Sequence, residues 1–185
     1  SIFRIYSMTK PMVTTALMQM VEEGRLQVSD PVSKFLPSLG GLKVGTEVTV
    51  DGKPALRLAD PTRPMTVQDL MRHTAGLVYG ARGNTLVYQA YRDAKIGDRA
   101  ASNEEFVARL SKMPLNYNPG DRWEYSVAVD VQGRLLEVLN GGKPLREVLG
   151  ERIFKPLGMV DTSFQVPADK LGRVAQPAPG TNGKP

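Results

Sequence analysis

The chain has 185 residues, 41% of them hydrophobic, which suits one domain or a large piece of one with a real core. It has no cysteine and one histidine, so disulfides, thiolate nucleophiles and zinc–thiolate sites are excluded and a multi-histidine metal site is disfavoured. The net charge of +5 is scattered and not interleaved with aromatic residues, so nothing indicates a nucleic-acid partner, and no apolar run is long enough for a membrane span.

The first predicted helix begins with a Ser-x-x-Lys pair, Ser7 and Lys10. Pro11 fits only the first turn of a helix, and Gly24 supplies the stop. The i, i+3 spacing places the hydroxyl and the amine on one helical face. Behind them, apolar residues recur with helical periodicity at Met8, Met12, Val13, Ala16, Leu17, Met20 and Val21.

This pair has a chemical and a purely structural interpretation. A serine must lose its proton as it attacks, and a lysine can accept that proton if its pKa is lowered. At a helix N-terminus the Ser7 amide would also favour a developing oxyanion. However, the pattern is loose, and serine at a helix start is usually only an N-cap. The chain has no Gly-x-Ser-x-Gly elbow, and a Ser-His-Asp triad could use only His73, so Lys10 is the best available base.

Further elements follow along the first half of the chain. A short helix is predicted over 31–36, and alternating apolar residues around the Asp51-Gly52 turn predict a surface β-hairpin within 40–60. Thr66 and Asp69 form a capping-box pattern for a helix that ends near His73.

The second half is also predicted to be helical. Helices are expected over 86–96, 102–113 (opened by Ser102 and Glu105), 127–139 and 144–154. Residues 166–185 are rich in Pro, Gly and polar residues and are expected to lack regular structure. The predicted fold class is mainly α with a small β-hairpin.

Four segments in this order resemble the serine β-lactamase-related family, which includes class C β-lactamases, D-Ala-D-Ala carboxypeptidases and β-lactamase-like family VIII esterases. The segments are residues 3–11 (FRIYSMTKP), 70–77 (LMRHTAGL), 123–128 (WEYSVA) and 151–159 (ERIFKPLGM). Together they cover most of the chain and are far more specific than Ser-x-x-Lys alone.

The resemblance implies three catalytic residues. Ser7 is similar to the acylated nucleophile, Lys10 to the partner that takes or shares its proton, and Tyr125 to the tyrosine that acts as general base or acid. A phenol serves that role if nearby positive charge lowers its pKa, and Lys10 is the expected source. Without the family, Tyr125 would be interpreted as a core aromatic beside Trp123. The His73 turn is structural in this family.

The sequence departs from the family pattern in two ways, and both affect the expected function. Where β-lactamases usually carry the Asn that binds the lactam amide, this chain has Val127, which is more similar to the esterase branch. The family's third motif, Lys-Thr-Gly or His-x-Gly on a strand, has no match, and the strands that flank the nucleophile helix are missing. Residues 1–165 are therefore expected to be the helical region of the α+β β-lactamase/transpeptidase-like fold, the middle of a longer enzyme.

The predicted function is a serine hydrolase that works through an acyl-enzyme, most simply a carboxylesterase acting on small esters. Two alternatives stay open: a β-lactamase or D-amino-acid peptidase, and a catalytically inactive fragment or binding module of the same fold. The expected partner is a small-molecule ester or amide, with the missing part of the same chain or a second copy as further partners. No cofactor or metal is expected, and the sequence does not distinguish a cytoplasmic from a periplasmic location.

Overall fold

A computed structural model describes residues 1–176. In this part of the chain the only sheet is an antiparallel hairpin, and all other regular structure is helical, which confirms the predicted fold class. The elements are α1 Thr9–Glu22, β1 Val44–Val50, β2 Lys53–Ala59, α2 Val67–Met71, α3 Leu86–Asp93, α4 Asn103–Leu110, α5 Ala128–Leu139 and α6 Leu145–Leu149.

Helix α5 is the centre of the helical packing and contacts α1, α2, α4 and α6. Its inner face is fully buried at Ala128, Val131, Leu135 and Leu136. The buried amide of Gln132 joins two neighbours, because it accepts a hydrogen bond from Thr14 Oγ1 on α1 (2.8 Å) and donates one to the Leu70 carbonyl on α2 (3.0 Å). Thus α5 fixes the helix that follows Ser7 relative to the helix that precedes His73.

Helix α1 buries most of the predicted apolar stripe, at Val13, Ala16, Leu17 and Met20. Met8 differs from the prediction: it is 70% exposed because it belongs to a 3₁₀ turn, Tyr6–Met8, ahead of the α-helix. The helix ends as the sequence predicts. Gly24 adopts φ +70°, and the N–H groups of Gly24 and Arg25 turn back to carbonyls of the last helical turn.

Helix α2 is held by the predicted capping box. Thr66 and Asp69 exchange hydrogen bonds between side chain and backbone. The Asp69 carboxylate is fully buried and also accepts from Arg63 (2.6 and 2.9 Å), Thr74 Oγ1 (2.8 Å) and Arg72 (3.2 Å). Burial alone would raise the pKa of Asp69, but the hydrogen bonds from Arg63, Thr66 and Thr74 hold it well below its usual range.

The hairpin turns through Asp51 and Gly52, both with positive φ (+50° and +74°), as a two-residue turn requires. Its base packs on the helical layer, since Gly45 is buried against Val87 of α3 and Pro114. The tip lies on the surface as predicted, so Val50 and the outer strand residues remain exposed.

Three helix ends differ from the sequence prediction. Helix α3 ends at Asp93, three residues early, because Lys95 adopts φ +52° and the Ile96 N–H closes the helix on the Tyr91 carbonyl. Helix α4 ends at Leu110 in place of residue 113. The helix predicted over 144–154 is α-helical only through Leu149 and continues as a π-helical turn, Gly150–Phe154.

The segment predicted to be irregular contains local structure. Ala168–Arg173 forms a 3₁₀ helix, and Val174 forms a parallel bridge with Ile2, which a composition-based expectation misses. Residues 177–185 of that predicted segment lie outside the described residues. Within residues 1–176, no helix is long and apolar enough to cross a membrane.

Asp69→Asn should lower the free energy of unfolding by about 2 kcal/mol or more at neutral pH, because it leaves the Arg63 guanidinium without its charged partner. The folded-state pKa of Asp69 is depressed, so its contribution is full at neutral pH and is lost as the pH falls below about 4. Urea unfolding of both proteins at neutral and acidic pH measures this.

The matched control is Asp51→Asn at the exposed hairpin turn, where asparagine also tolerates a positive φ. It should change the unfolding free energy by less than about 0.5 kcal/mol. Equal stabilities of Asp69→Asn and the parent protein at neutral pH would contradict the role assigned to the buried carboxylate.

Candidate active site

Ser7 is presented at the entrance to α1. It occupies the middle of the exposed 3₁₀ turn Tyr6–Met8, two residues ahead of the α-helix, where the helix dipole favours negative charge. Tyr6 adopts φ +42°, a conformation that non-glycine residues rarely hold and that turns the chain into the helix. Within residues 1–176 the Ser7 backbone N–H has no acceptor, so it is available to an incoming oxygen.

The structure brings the three sequence-predicted site residues together. Lys10 Nζ donates to Ser7 Oγ at 3.1 Å, across the i, i+3 spacing predicted from the sequence. Tyr125 Oη donates to the same Ser7 oxygen at 2.8 Å, although 118 positions separate the two residues. Tyr125 is half-buried with its hydroxyl on Ser7, so it is not the core aromatic that an interpretation without the family would give.

His73 holds the segment that carries Tyr125. Its carbonyl accepts the Glu124 N–H (2.8 Å), and its ring Nδ1 accepts the Ser126 N–H (3.2 Å), so the residues on both sides of Tyr125 are bonded to one histidine. The rings of His73 and Tyr125 are also in contact, with centroids 4.9 Å apart. His73 itself adopts φ +57°, a conformation imposed by the turn after α2.

The hydrogen bonds define the protonation state of His73. Because Nδ1 accepts a backbone N–H, it carries no proton, and the neutral ring holds its hydrogen on Nε2. Burial and the charge of Lys10 both lower the pKa of His73, which keeps the ring neutral. His73 makes no hydrogen bond to Ser7, and we assign it a positioning role consistent with the structural role expected from the resemblance.

The charges and phenols around Ser7 shift the pKa values of both Lys10 and Tyr125. Partial burial lowers the pKa of Lys10, but the interactions with the phenols of Tyr125 and Tyr79 raise it by more, so the pKa lies above 10.5 and the amine stays charged. The hydrogen bond with Ser7 and the Lys10 ammonium lower the pKa of Tyr125 below 10.0, with a contribution from Arg82. The Tyr125 phenol therefore loses its proton at a lower pH than the Lys10 ammonium does, and the structure does not provide a lysine with a lowered pKa.

Sequence reasoning missed two residues of this site. Tyr79 packs on Tyr125 (centroids 5.6 Å apart), and Lys10 Nζ lies 5.9 Å from its ring. Arg82 places its guanidinium carbon 5.1 Å from the Tyr125 ring centroid. Tyr79 and Arg82 do not belong to a recognised catalytic motif. The turn that carries them, after residue 77, meets Tyr125 only in the folded protein.

Val127 is buried at the start of α5, so its side chain offers no polar group to a substrate. Together with Tyr79 it lines a cavity of about 540 Å³ whose wall also includes Gly80, Ala81 and Ile96. Within residues 1–176, no group of three or more His, Asp or Glu side chains is placed to hold a metal ion.

Comparison with known proteins assigns the family. The Beta-lactamase family model matches residues 1–185. The chain belongs to the beta-lactamase family. Among curated relatives, Protein Rv1367c of Mycobacterium tuberculosis is 37% identical over 95% of this chain and 42% of its own length. Esterase EstB of Burkholderia gladioli is 34% identical over 89% of this chain and 38% of its own length.

A solved structure shows the same helical architecture. The hydrolase EstCE1, described as having promiscuous acyltransferase activity, superimposes with a TM-score of 0.79 at 29% identity, over 99% of this chain and 44% of its own. The fold is thus the helical portion of the β-lactamase-like fold. The chain spans about 40% of the length of the relatives that it matches.

The lowered pKa of Tyr125 gives a direct spectroscopic prediction. The ultraviolet difference titration of the parent protein against Tyr125→Phe should show one tyrosine ionising below pH 10.0, and Lys10→Met should move that midpoint upward because the ammonium no longer stabilises the phenolate. Lys155→Met, which removes an exposed lysine outside the site, serves as the control and should leave the midpoint unchanged. A midpoint at or above 10.0 in the parent protein would show that Lys10 and Ser7 do not lower the pKa of Tyr125.

Proposed function

We propose that the protein is a serine hydrolase that forms an acyl-enzyme on Ser7 and acts as a carboxylesterase on small esters. One observation carries the proposal: Ser7 Oγ lies within hydrogen-bond distance of both Lys10 Nζ (3.1 Å) and Tyr125 Oη (2.8 Å). A serine hydroxyl is activated as a nucleophile when it lies beside a base and a cation contacts both groups. The esterase EstB among the relatives supports the substrate class.

Acylation follows from these contacts. When Tyr125 is ionised, its oxygen accepts the Ser7 proton across the 2.8 Å contact while Ser7 Oγ bonds to the ester carbonyl carbon. The charged Lys10 stabilises the phenolate and the developing alkoxide, and the Ser7 N–H is one donor to the tetrahedral oxyanion. The C–O bond then breaks, and the alcohol leaves with the proton that Tyr125 returns to it.

Deacylation uses the same groups in reverse order. Tyr125 takes a proton from a water molecule that attacks the acyl carbon, and Ser7 leaves with that proton as the carboxylic acid is released. Each proton that Tyr125 accepts is donated again within the cycle, so the enzyme is regenerated. A neutral His73 takes no part in this transfer and keeps Tyr125 within reach of Ser7.

The residue at position 127 favours esters over lactams and amides. A buried valine cannot donate or accept a hydrogen bond, so it cannot hold the amide group of a lactam or a D-amino-acid peptide as an asparagine would. An ester needs no such contact. Position 127 therefore gives no support to the β-lactamase or peptidase alternative.

Ser7→Ala should lower kcat for para-nitrophenyl butyrate on the order of 10³-fold or more in the full-length protein, because the nucleophile is lost while the fold is kept. Ser38→Ala, at an exposed serine in the segment between α1 and β1, should retain full turnover. Initial rates and thermal unfolding of the three proteins decide the outcome.

Retained turnover in Ser7→Ala would refute the acyl-enzyme proposal. Absence of turnover in the folded parent protein, on esters and on the lactam nitrocefin alike, would support the inactive binding module instead. Faster hydrolysis of nitrocefin than of the butyrate ester would transfer the assignment to the β-lactamase alternative.

A further inference from the structure

Arg82 lies on the face of the catalytic tyrosine. It ends the 3₁₀ turn Gly80–Arg82, whose backbone closes through the Arg82 N–H on the Tyr79 carbonyl (3.0 Å). The side chain is exposed, and its guanidinium carbon lies 5.1 Å from the Tyr125 ring centroid. Because Tyr125 Oη lies 2.8 Å from Ser7 Oγ, the arginine is separated from the nucleophile by one phenol ring.

Arg82 has no anionic partner in the described part of the chain. Its guanidinium makes no ion pair or hydrogen bond within residues 1–176, whereas Arg63, Arg109 and Arg152 each bind a carboxylate. The carboxylate of Asp130 interacts with Lys10 and Tyr79 and does not pair with Arg82. A guanidinium without a hydrogen-bond partner keeps its N–H edges free, and those edges match a carboxylate in a two-pronged contact.

The reaction geometry indicates which part of a substrate meets this cation. Tyr125 returns a proton to the oxygen of the leaving alcohol, so the alcohol portion of the ester must lie against Tyr125. Arg82 lies over the same ring, with its guanidinium carbon 5.1 Å from the ring centroid, and therefore lies beside the alcohol portion, away from the carbonyl carbon at Ser7.

We propose that Arg82 binds a carboxylate carried by the alcohol portion of the substrate, so that the preferred substrates are esters of hydroxy acids. This inference rests on the proposed esterase function and adds a specificity-determining residue to it. Arg82 touches no reacting atom; its charge orients the leaving group and also favours the Tyr125 phenolate.

A pair of esters that share one acyl group tests the assignment. Para-carboxyphenyl butyrate and para-carbamoylphenyl butyrate form the same butyryl-enzyme, so they differ only in the alcohol portion that Arg82 would contact. Arg82→Gln in the full-length protein should lower kcat/KM for the carboxyphenyl ester about 10- to 100-fold and that for the neutral ester less than about 3-fold. Arg82→Lys should recover part of the loss, since it keeps the charge without the fork.

Arg57→Gln, at an exposed arginine on β2, removes the same charge away from the site and should leave both esters unchanged. Calorimetric binding of para-carboxyphenyl butyrate to Ser7→Ala, with and without Arg82→Gln, gives a readout independent of turnover and should show the same 10- to 100-fold weakening.

Equal binding to both Ser7→Ala proteins, or equal losses for both esters in Arg82→Gln, would overturn the inference and leave Arg82 with an effect on Tyr125 alone. Full turnover in Ser7→Ala would refute the proposed function, and the binding comparison would then still decide the role of Arg82.

Discussion

The buried carboxylate of Asp69 is the constraint on which the site depends. It caps α2, binds Arg63 with both oxygens and accepts the Thr74 hydroxyl, so it fixes the turn that follows the helix. That turn holds His73 at positive φ, with its carbonyl and ring nitrogen directed at the segment around Tyr125. The buried ion pair is thus connected to the segment around Tyr125 through the bond from Thr74 to Asp69, the neighbouring His73 and the hydrogen bonds that His73 accepts from Glu124 and Ser126.

Helix α5 also helps to align Ser7 with Tyr125. Its buried Gln132 binds α1 and α2 at once, so the helix behind Ser7 and the helix before His73 cannot move independently. As a result, Ser7 Oγ and Tyr125 Oη lie 2.8 Å apart, although 118 positions separate the two residues in the sequence. Around that contact the positive charge of Lys10 makes the phenol more acidic, while the phenols in turn keep the lysine charged. The site thus combines a tyrosine whose pKa is lowered with a lysine whose pKa is raised.

Local sequence patterns predict much of the secondary structure of this fold, but they do not predict its tertiary arrangement. The Thr66 capping box, the Asp51-Gly52 turn and the Gly24 stop depend on neighbouring residues, and each has the predicted form. The contact between Ser7 and Lys10 was also predictable, since residues at this spacing meet across one helical turn. Tyr125 needed the family resemblance, because no local pattern places a phenol on a distant serine. Tyr79 and Arg82 carry no motif, and the π-helical turn at Gly150–Phe154 depends on packing that periodicity does not encode.

The most direct test of the central claim is intact-mass analysis and peptide mapping of the full-length protein after reaction with a fluorophosphonate. Ser7 Oγ should displace fluoride and gain one phosphonyl group, since it is the exposed hydroxyl in contact with Lys10 and Tyr125. A single adduct is expected on the peptide that contains Ser7, formed more slowly when Tyr125 is replaced by phenylalanine. No adduct on the folded protein, or an adduct on another serine, would contradict it.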